Sequence, residues 1–302
     1  MLIGVDVGGT NLRVGVVENY QVIWEQRYHA DFSGLCQQLQ PAEALKAIHA
    51  SLAQSLSEAI TLYPKVSAIG IGFPGFINPA TQQVAQSPNL PGLLNADITA
   101  PISQLLKLPV LLENDALAAA YGEYVLANKP NSSLIYLGLG TGVGGGLVLN
   151  GKPYGGSNGV AMEVGHLTVM PSGRPCGCGN CGCMEQYASA SGVVLNYQEI
   201  SGKVLDTVAI AALANQGDKS ALQAYAQAGT ALAQGLAHIL KVVDVTQVVI
   251  GGGLSQSWAL LQPAFEARLE TDLIPALRGK VQVSISSAGD QAGIIGAAML
   301  AA

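Results

Sequence analysis

The sequence predicts an α/β protein built from two similar lobes with a cleft between them. Apolar runs of strand length alternate with Ala- and Leu-rich segments at helical spacing, a pattern typical of α/β proteins. The opening strand, glycine-rich turn and second strand recur 132 residues later, where Gly140 corresponds to Gly8 and Val148 to Val16. Such an internal duplication indicates two related lobes.

The composition favours a globular protein that binds neither nucleic acid nor membranes. With 302 residues, of which 49% are hydrophobic, the chain can bury a substantial core. Only 11% of the residues are charged, the net charge is −6 and no run of Lys or Arg occurs, which argues against anionic partners. The first residues lack the basic and then apolar pattern of a signal peptide, so we expect a cytoplasmic protein.

Apolar periodicity and Gly or Pro punctuation predict the elements of the first half. The first 24 residues predict a β-hairpin followed by a third strand. The next predicted elements are a helix over 42–62, strands over 65–75 and 108–115, and a helix over 116–127.

The second half repeats the opening pattern over residues 133–154 and is then rich in glycine over 155–190. Later predicted elements are helices within 206–241, a strand, glycine turn and helix from 246, a strand over 281–287 and a closing helix over 290–302. We assign residues 1–115 together with 290–302 to a small lobe, and residues 116–289 to a large lobe that carries the cysteines.

Three glycine-rich turns, each after an apolar strand, are candidates for phosphate binding. Glycine lets backbone N–H groups approach an anion, and Thr adds a hydroxyl donor. Two opposed hairpins can hold the phosphates of a nucleotide while the third turn seats the adenosine. Asp6, at the end of a buried strand, can bind Mg²⁺ or cap the turn. The candidate residues are Asp6, Gly8, Gly9, Thr10, Asn11, Gly140, Thr141, Gly142, Gly251, Gly252 and Gly253.

Gly140, Gly142 and Gly145 also fit the G-x-G-x-x-G pattern of dinucleotide-binding proteins. That interpretation requires a helix directly after the glycines, whose N-terminus binds the pyrophosphate. Here the sequence continues as a strand and an Asn-Gly turn, which argues against it. A tight hairpin without a ligand is the other alternative.

Four of the five cysteines lie within residues 176–183. A disulfide, a redox pair and a metal site are the alternatives. In a cytoplasmic protein clustered cysteines favour a metal or redox role. The C-x-x-C pair of Cys178 and Cys181 lies in a glycine-rich loop rather than at a helix start, which favours metal over redox chemistry. All four, Cys176 and Cys183 included, can serve as tetrahedral zinc ligands.

The segment "LLEND" ends a predicted strand and begins a helix. A carboxylate at such a junction is held rigidly at the edge of a sheet, where catalytic groups are common. The alternative is that Asn114 or Asp115 only caps the helix. The spacing does not decide between the two.

Eight motifs in order carry a resemblance to a known family: "IGVDVGGTNLRVGVV", "GIGFPG", "SPNLPG", "LLENDALAAAYGE", "LGLGTGVGGGLVLNGKPYGG", "MEVGHL", "CGCGNCGCME" and "VVIGGGLSQ". The chain resembles the ROK family of sugar kinases. The resemblance implies the actin-like ATPase fold, with duplicated ribonuclease H-like lobes, and ATP-dependent phosphorylation of a hexose with Mg²⁺.

The resemblance also implies the role of individual residues. Asp115 would be the catalytic base, and it would contact the sugar together with Gly75, Asn89, Asn114, Glu163, His166 and Glu185. A structural zinc ion would be bound by His166, Cys176, Cys178 and Cys183. Cys181 stands at a position that varies in the family and can compete as a ligand.

Glucose phosphorylated at O6 is the expected substrate. His166 and Cys176 are only ten residues apart, a spacing usual in glucokinase-like and N-acetylmannosamine-kinase-like members, whereas N-acetylglucosamine kinases of the family tend to carry a longer insert there. Kinases of N-acetylmannosamine, N-acetylglucosamine or fructose are the alternatives within the family.

A sugar-responsive transcriptional regulator is the alternative from another class, but those proteins carry a DNA-binding module before the motif that here begins at Asp6. We also expect a homodimer, as is common in the family.

Overall fold

The computed structural model describes residues 1–8 and 10–302; Gly9, one of the predicted nucleotide contacts, lies outside the described residues. The strands are β1 (Leu2–Val7), β2 (Asn11–Glu18), β3 (Gln21–His29), β4 (Ile69–Phe73), β5 (Phe76–Asn78), β6 (Gln83–Gln86), β7 (Leu94–Ala96), β8 (Val110–Asn114), β9 (Leu134–Leu139), β10 (Val143–Leu149), β11 (Lys152–Pro153), β12 (Gln247–Gly251) and β13 (Gln282–Ile285). The helices are α1 (Phe32–Gln38), α2 (Pro41–Leu62), α3 (Thr99–Leu106), α4 (Asp115–Ala127), α5 (Glu185–Ala188), α6 (Ala190–Ser201), α7 (Thr207–Asn215), α8 (Lys219–Val243), α9 (Trp258–Asp272) and α10 (Gln291–Leu300).

Two five-stranded sheets repeat one topology. The first has the order β3-β2-β1-β4-β8 and the second the order β11-β10-β9-β12-β13. In the first sheet β1 pairs antiparallel with β2, and β4 runs parallel to both β1 and β8. In the second, β12 likewise runs parallel to β9 and β13. The α/β class is confirmed, and the duplication seen in the sequence is matched in the strand order of the two sheets.

The chain divides into two compact units. Unit 1 comprises Met1–Ser133, Gly146–Ala161 and Ala288–Ala302, and unit 2 comprises Leu134–Gly145 and Met162–Ser287. The chain passes from unit 2 to unit 1 within β10. The lobes predicted from the sequence, with their break at residue 116, stay a prediction.

Glycines in unit 1 bring α10 into direct backbone contact with its neighbours. A Cβ atom on Gly4 of β1 would lie 1.8 Å from the carbonyl oxygen of Ile294, and one on Gly70 of β4 would lie 1.7 Å from that of Ala297. A Cβ on Gly296 would similarly meet the Ala118 carbonyl oxygen at 1.7 Å. Strands β1 and β4, helix α10 and helix α4 are therefore packed at backbone distance, which fixes the position where α4 begins.

We expect Gly70→Ala to lower the free energy of unfolding by about 3 kcal/mol, since overpacking a core costs about 1–3 kcal/mol and backbone atoms cannot rotate away. Gly155→Ala is the matched control, because its new Cβ would meet only the Leu117 side chain, at an ordinary 3.7 Å. Urea denaturation of both variants measures the difference. Equal midpoints would show that α10 can move away from the sheet at little cost.

Unit 2 is organised around the long helix α8. Asp218 caps its N-terminus by accepting a hydrogen bond from the Ala221 N–H at 2.8 Å, and its apolar face includes the fully buried Leu232 and Leu236. Helices α5, α6, α7 and α9 contact it. Within the described residues, no helix has both the length and the apolar character needed to span a membrane.

Candidate functional site

The carboxyl ends of three parallel strands in unit 1 gather several of the predicted residues at one sheet edge. Asp6 in β1 pairs with Gly72 in β4, which in turn pairs with Glu113 in β8. The chain leaves β4 towards Gly75, and β8 ends at Asn114. Ligands of α/β proteins bind at this edge, because the loops that leave the strands converge there.

Asn114 links two parts of the predicted sugar site. Its Oδ1 accepts a hydrogen bond from the Leu117 N–H at 3.0 Å, which caps α4, and its Nδ2 donates to the Gly75 carbonyl at 3.0 Å. Gly75 has a φ of +138°, a conformation that L side chains rarely adopt. Asn114 is therefore the N-cap of α4, and Asp115 is the first residue of α4 and accepts a hydrogen bond from the Ala116 N–H at 2.8 Å.

A cavity of about 360 Å³ lies in unit 1 next to this junction. Its walls include Ile77, Gln82, Glu113 and Tyr154. Burial raises the pKa of the Glu113 carboxyl, although the hydrogen bond from the Asn114 N–H acts in the opposite direction. Asn89, the other sugar contact predicted in this unit, lies exposed in the segment between β6 and β7.

Asp6 is held by an arginine that the sequence analysis missed. Arg13 lies directly opposite on β2, and its guanidinium forms an ion pair with Asp6 and a second one, at 3.1 Å, with Asp290. Burial raises the pKa of Asp6, and the Arg13 charge opposes that rise. The sequence signal was a cation on the second strand of the predicted hairpin, about as far after the Gly turn as Asp6 lies before it. The carboxylate is a hard oxygen donor of the kind that binds Mg²⁺.

The first glycine turn is closed by a hydrogen bond from the Gly8 N–H to the Asn11 carbonyl at 2.8 Å. Asn11 begins β2, and its side-chain Nδ2 donates to the Thr10 hydroxyl at 3.1 Å. Thr10 and Asn11 are both exposed. Polar groups of this turn are thus available to a ligand.

The other two glycine turns lie together in unit 2. β9 and β12 are parallel neighbours, and a Cβ on Gly252, whose φ is +81°, would lie 2.5 Å from the Leu139 carbonyl oxygen. The Gly140 N–H donates to the Gly142 carbonyl at 3.0 Å. Gly251 ends β12, and Gly252 and Gly253 follow it at the same edge at which Gly140 and Thr141 follow β9.

The dinucleotide interpretation of this turn is wrong. Gly145 lies inside β10, which continues to Leu149, so no helix begins directly after the glycines. A Cβ on Gly145 would instead collide with the Met162 carbonyl and the Val164 side chain, at 2.6 and 2.7 Å. The glycine is needed because the segment that carries Glu163 packs against the strand.

His166 and three cysteines form a compact cluster in unit 2. The ligand atoms of His166, Cys176, Cys178 and Cys183 all lie within 4.8 Å of one another. The Cys178 and Cys183 sulfurs are 3.6 Å apart, as are the Cys176 sulfur and His166 Nδ1. A tetrahedral zinc ion with bonds of about 2.3 Å would hold its sulfurs about 3.8 Å apart. The donor set and its spacing fit zinc, and Cys181 is not a member of this cluster.

Burial raises the pKa of the Cys183 thiol to about 12, and it also raises the pKa of Cys176. The backbone N–H of Asn180 lowers the pKa of Cys178. The cluster combines two buried thiols with one exposed thiol, and the buried Cys176 thiol lies next to the histidine.

The two glutamates predicted as sugar contacts flank the histidine. Glu185 Oε1 lies 3.7 Å from His166 Nδ1 and accepts from the Cys176 thiol at 3.1 Å. Glu163 Oε2 lies 3.8 Å from His166 Nε2, and burial raises the pKa of Glu163. A Cβ on Gly142 would lie 2.8 Å from Glu185 Oε2. Unit 2 therefore brings the metal ligands, both glutamates and a glycine turn into one neighbourhood.

Known proteins resemble this chain over nearly its whole length. The model of the ROK family matches residues 2–302. A glucokinase from Halalkalibacterium halodurans is 31% identical over 99% of this chain and 94% of its own. An N-acetyl-D-glucosamine kinase from Citrobacter koseri is 35% identical over 99% of each chain. The crystal structure of a ROK family glucokinase from Streptomyces griseus in complex with glucose and AMPPNP has a TM-score of 0.82 at 30% identity, covering 99% of this chain and 98% of that one.

Proposed function

The chain belongs to the ROK family, and from this premise we propose that it is an ATP-dependent kinase that phosphorylates glucose at O6. The observation that carries the proposal is the junction at the end of β8. There Asn114 forms hydrogen bonds with both α4 and Gly75, and Asp115 is the first residue of α4. The similarity to a glucokinase that was crystallised with glucose and an ATP analogue supports the same conclusion.

In the proposed reaction Asp115 is the general base. The hexose hydroxyl attacks the γ-phosphorus of ATP, its proton moves to the Asp115 carboxylate, and the bond from the γ-phosphorus to the bridging oxygen breaks to release ADP. Asn114 and Gly75 orient the sugar ring, because amide and carbonyl groups can match the donor and acceptor character of hydroxyls. Asn89, Glu163, His166 and Glu185 are the remaining proposed sugar contacts, as the family resemblance implies.

The glycine turns are the proposed nucleotide site. Backbone N–H groups after β1 and β9 would bind phosphate oxygens, and the turn after β12 would contact the adenosine. Asp6 is the residue that would hold Mg²⁺, directly or through water. When bound, the magnesium ion offsets the charge that develops on the phosphates.

The Cys/His cluster would hold a structural zinc ion. With Nδ1 facing the sulfurs, His166 leaves Nε2 on the side of Glu163, so one ring can serve both the metal and the sugar. Zinc would fix the orientation of the imidazole and of the loop that leads to Glu185. No step of phosphoryl transfer requires the zinc ion itself.

A second candidate within the same family is an amino-sugar kinase, supported by the 35% identity to an N-acetyl-D-glucosamine kinase. One small apolar group, such as the methyl of an acetyl substituent, changes the discrimination between substrates by only about 1–3 kcal/mol. Measuring kcat/KM on a panel of sugars is therefore the way to distinguish the two candidates.

We expect glucose to give the highest kcat/KM when ADP release is measured with glucose, N-acetylglucosamine, N-acetylmannosamine, mannose and fructose. The expected margin over the next sugar is at least about tenfold, the low end of the discrimination that one missing group in a pocket gives. A higher kcat/KM with an N-acetylated sugar would establish the second candidate. Sugar binding without ADP release from any of the five would instead favour a non-catalytic regulator.

A further inference from the structure

Arg174 precedes the cysteine loop, and its side chain lies among α5 and α6 rather than in solvent. Only 12% of the Arg174 side chain is exposed. It is one of only 14 Lys and Arg residues in the chain. Burying a guanidinium is costly unless its N–H groups are satisfied. The contacts of Arg174 therefore indicate what the residue holds in place.

The guanidinium makes four hydrogen bonds. Nε and Nη2 donate to the two carboxylate oxygens of Glu199 on α6, each at 2.7 Å. Nη1 donates to the carbonyl of Gln186 on α5 and, at 2.8 Å, to Asn196 Oδ1 on α6. The group also lies over the Tyr187 ring, 4.4 Å from its centre. This fork requires a planar guanidinium, because an ammonium cannot make the same parallel bonds.

The partners of Arg174 are themselves held rigidly. Asn196 is fully buried, and its Nδ2 donates to the carbonyls of Tyr187 and Ala224 at 3.1 and 3.0 Å. The hydrogen bonds from Arg174 lower the pKa of Glu199, so that partner is ionised at neutral pH. The one-turn helix α5 is thus connected to α6 and α8 through the same set of bonds.

The backbone of Arg174 connects both ends of the metal-ligand loop. Its N–H donates to the Tyr187 hydroxyl at 2.8 Å, and its carbonyl accepts from the Gly182 N–H at 2.8 Å. Arg174 stands two residues before Cys176, and Gly182 stands directly before Cys183. The residue therefore joins the start of the loop to its end, and both to the helix that begins with Glu185.

We propose that Arg174 is a positioning residue that holds the cysteine loop and Glu185 in the geometry needed to retain zinc and to bind the sugar. Its guanidinium fixes α5, whose first residue is Glu185, and its backbone fixes the two segments that carry Cys176 and Cys183. Only the sugar-binding half of this inference rests on the proposed function. Arg174 is not one of the proposed sugar or nucleotide contacts, so its removal would act on sugar binding through Glu185 rather than on phosphoryl transfer.

The test compares Arg174→Met and Arg174→Lys with Arg268→Met, a control that removes an ion pair with Asp272 on a helix surface of the same unit. For Arg174→Met we expect the sugar KM to rise about tenfold while kcat changes less than about threefold. Zinc retained after dialysis against a chelator should fall below that of the wild type. Arg174→Lys should have a sugar KM and a zinc retention between those of Arg174→Met and the wild type. Arg268→Met should match the wild type in both.

A folded Arg174→Met variant that matches Arg268→Met in KM and zinc retention would overturn the proposal, and so would a loss confined to kcat. If Arg174→Met does not fold, Arg174→Lys decides by the same two measurements, with an expected rise in KM of about threefold. If the wild type phosphorylates no sugar, the proposed function fails, and zinc retention alone still decides whether Arg174 positions the loop.

Discussion

Replacing Asp115 by Asn should lower kcat by about a thousandfold while the hexose still binds, because a general base contributes about 10²–10⁴-fold to such a reaction. The amide is isosteric and can still accept the hydrogen bond that Asp115 Oδ1 takes from the Ala116 N–H at 2.8 Å. Helix α4 keeps its cap from Asn114 and its packing on α10. The substitution therefore removes the proton acceptor and leaves the capping and packing of helix α4 intact.

ADP release gives kcat for this variant, and titration calorimetry gives the affinity for the sugar. Asp97→Asn is the matched control, since Asp97 likewise accepts from a helical N–H, that of Ala100 at 3.0 Å, in the same unit. We expect the control to retain wild-type turnover. A kcat for Asp115→Asn within about tenfold of the wild type would remove Asp115 from the role of base.

Cys183→Ser should release zinc and lower the free energy of unfolding by about 4 kcal/mol, the stabilisation given by a ligand present at about a thousand times its Kd. The Cys183 side chain is fully buried, and its sulfur lies 3.6 Å from that of Cys178. A hydroxyl there is a poor zinc ligand. We also expect a higher sugar KM, because His166 and Glu185 lose the ion that orients them.

Cys181→Ser provides the matched control in the same loop. Cys181 is exposed and lies outside the cluster of His166 and the other three cysteines. Metal analysis of the purified variants and thermal unfolding with and without a chelator measure both effects. Zinc loss in Cys181→Ser, with retention in Cys183→Ser, would contradict the ligand set and would show that Cys181 competes successfully.

Local patterns in the sequence predict the long elements well and the short ones poorly. Helix α2 and strands β1, β2, β4 and β8 follow from apolar runs, because each buries a face large enough to leave a periodic signal. The small sheet of β5, β6 and β7 has strands of three or four residues, too short for such a signal. Helix α3 carries Pro101 in its first turn, where proline is tolerated but obscures the pattern.

Residue pairs distant in sequence account for most of what the sequence analysis missed. The ion pair of Arg13 with Asp290 depends on the placement of α10. The fork between Arg174 and Glu199 depends on how α6 packs. Its charge marks a residue as a candidate for an ion pair, but many residues of opposite charge could be its partner.

The sequence by itself determined the order of strands and glycine turns, the types of residue available for metal and sugar binding, and the family resemblance. These are properties of consecutive residues, since backbone freedom at glycine and the donor chemistry of a side chain do not depend on the fold. The tertiary structure decided that Asp6, Gly75 and Asn114 share one sheet edge, that Cys181 stays outside the cluster, and that His166 turns Nδ1 towards the sulfurs. Those facts depend on strand register and helix packing, which are set by the cooperative burial of residues far apart in the chain.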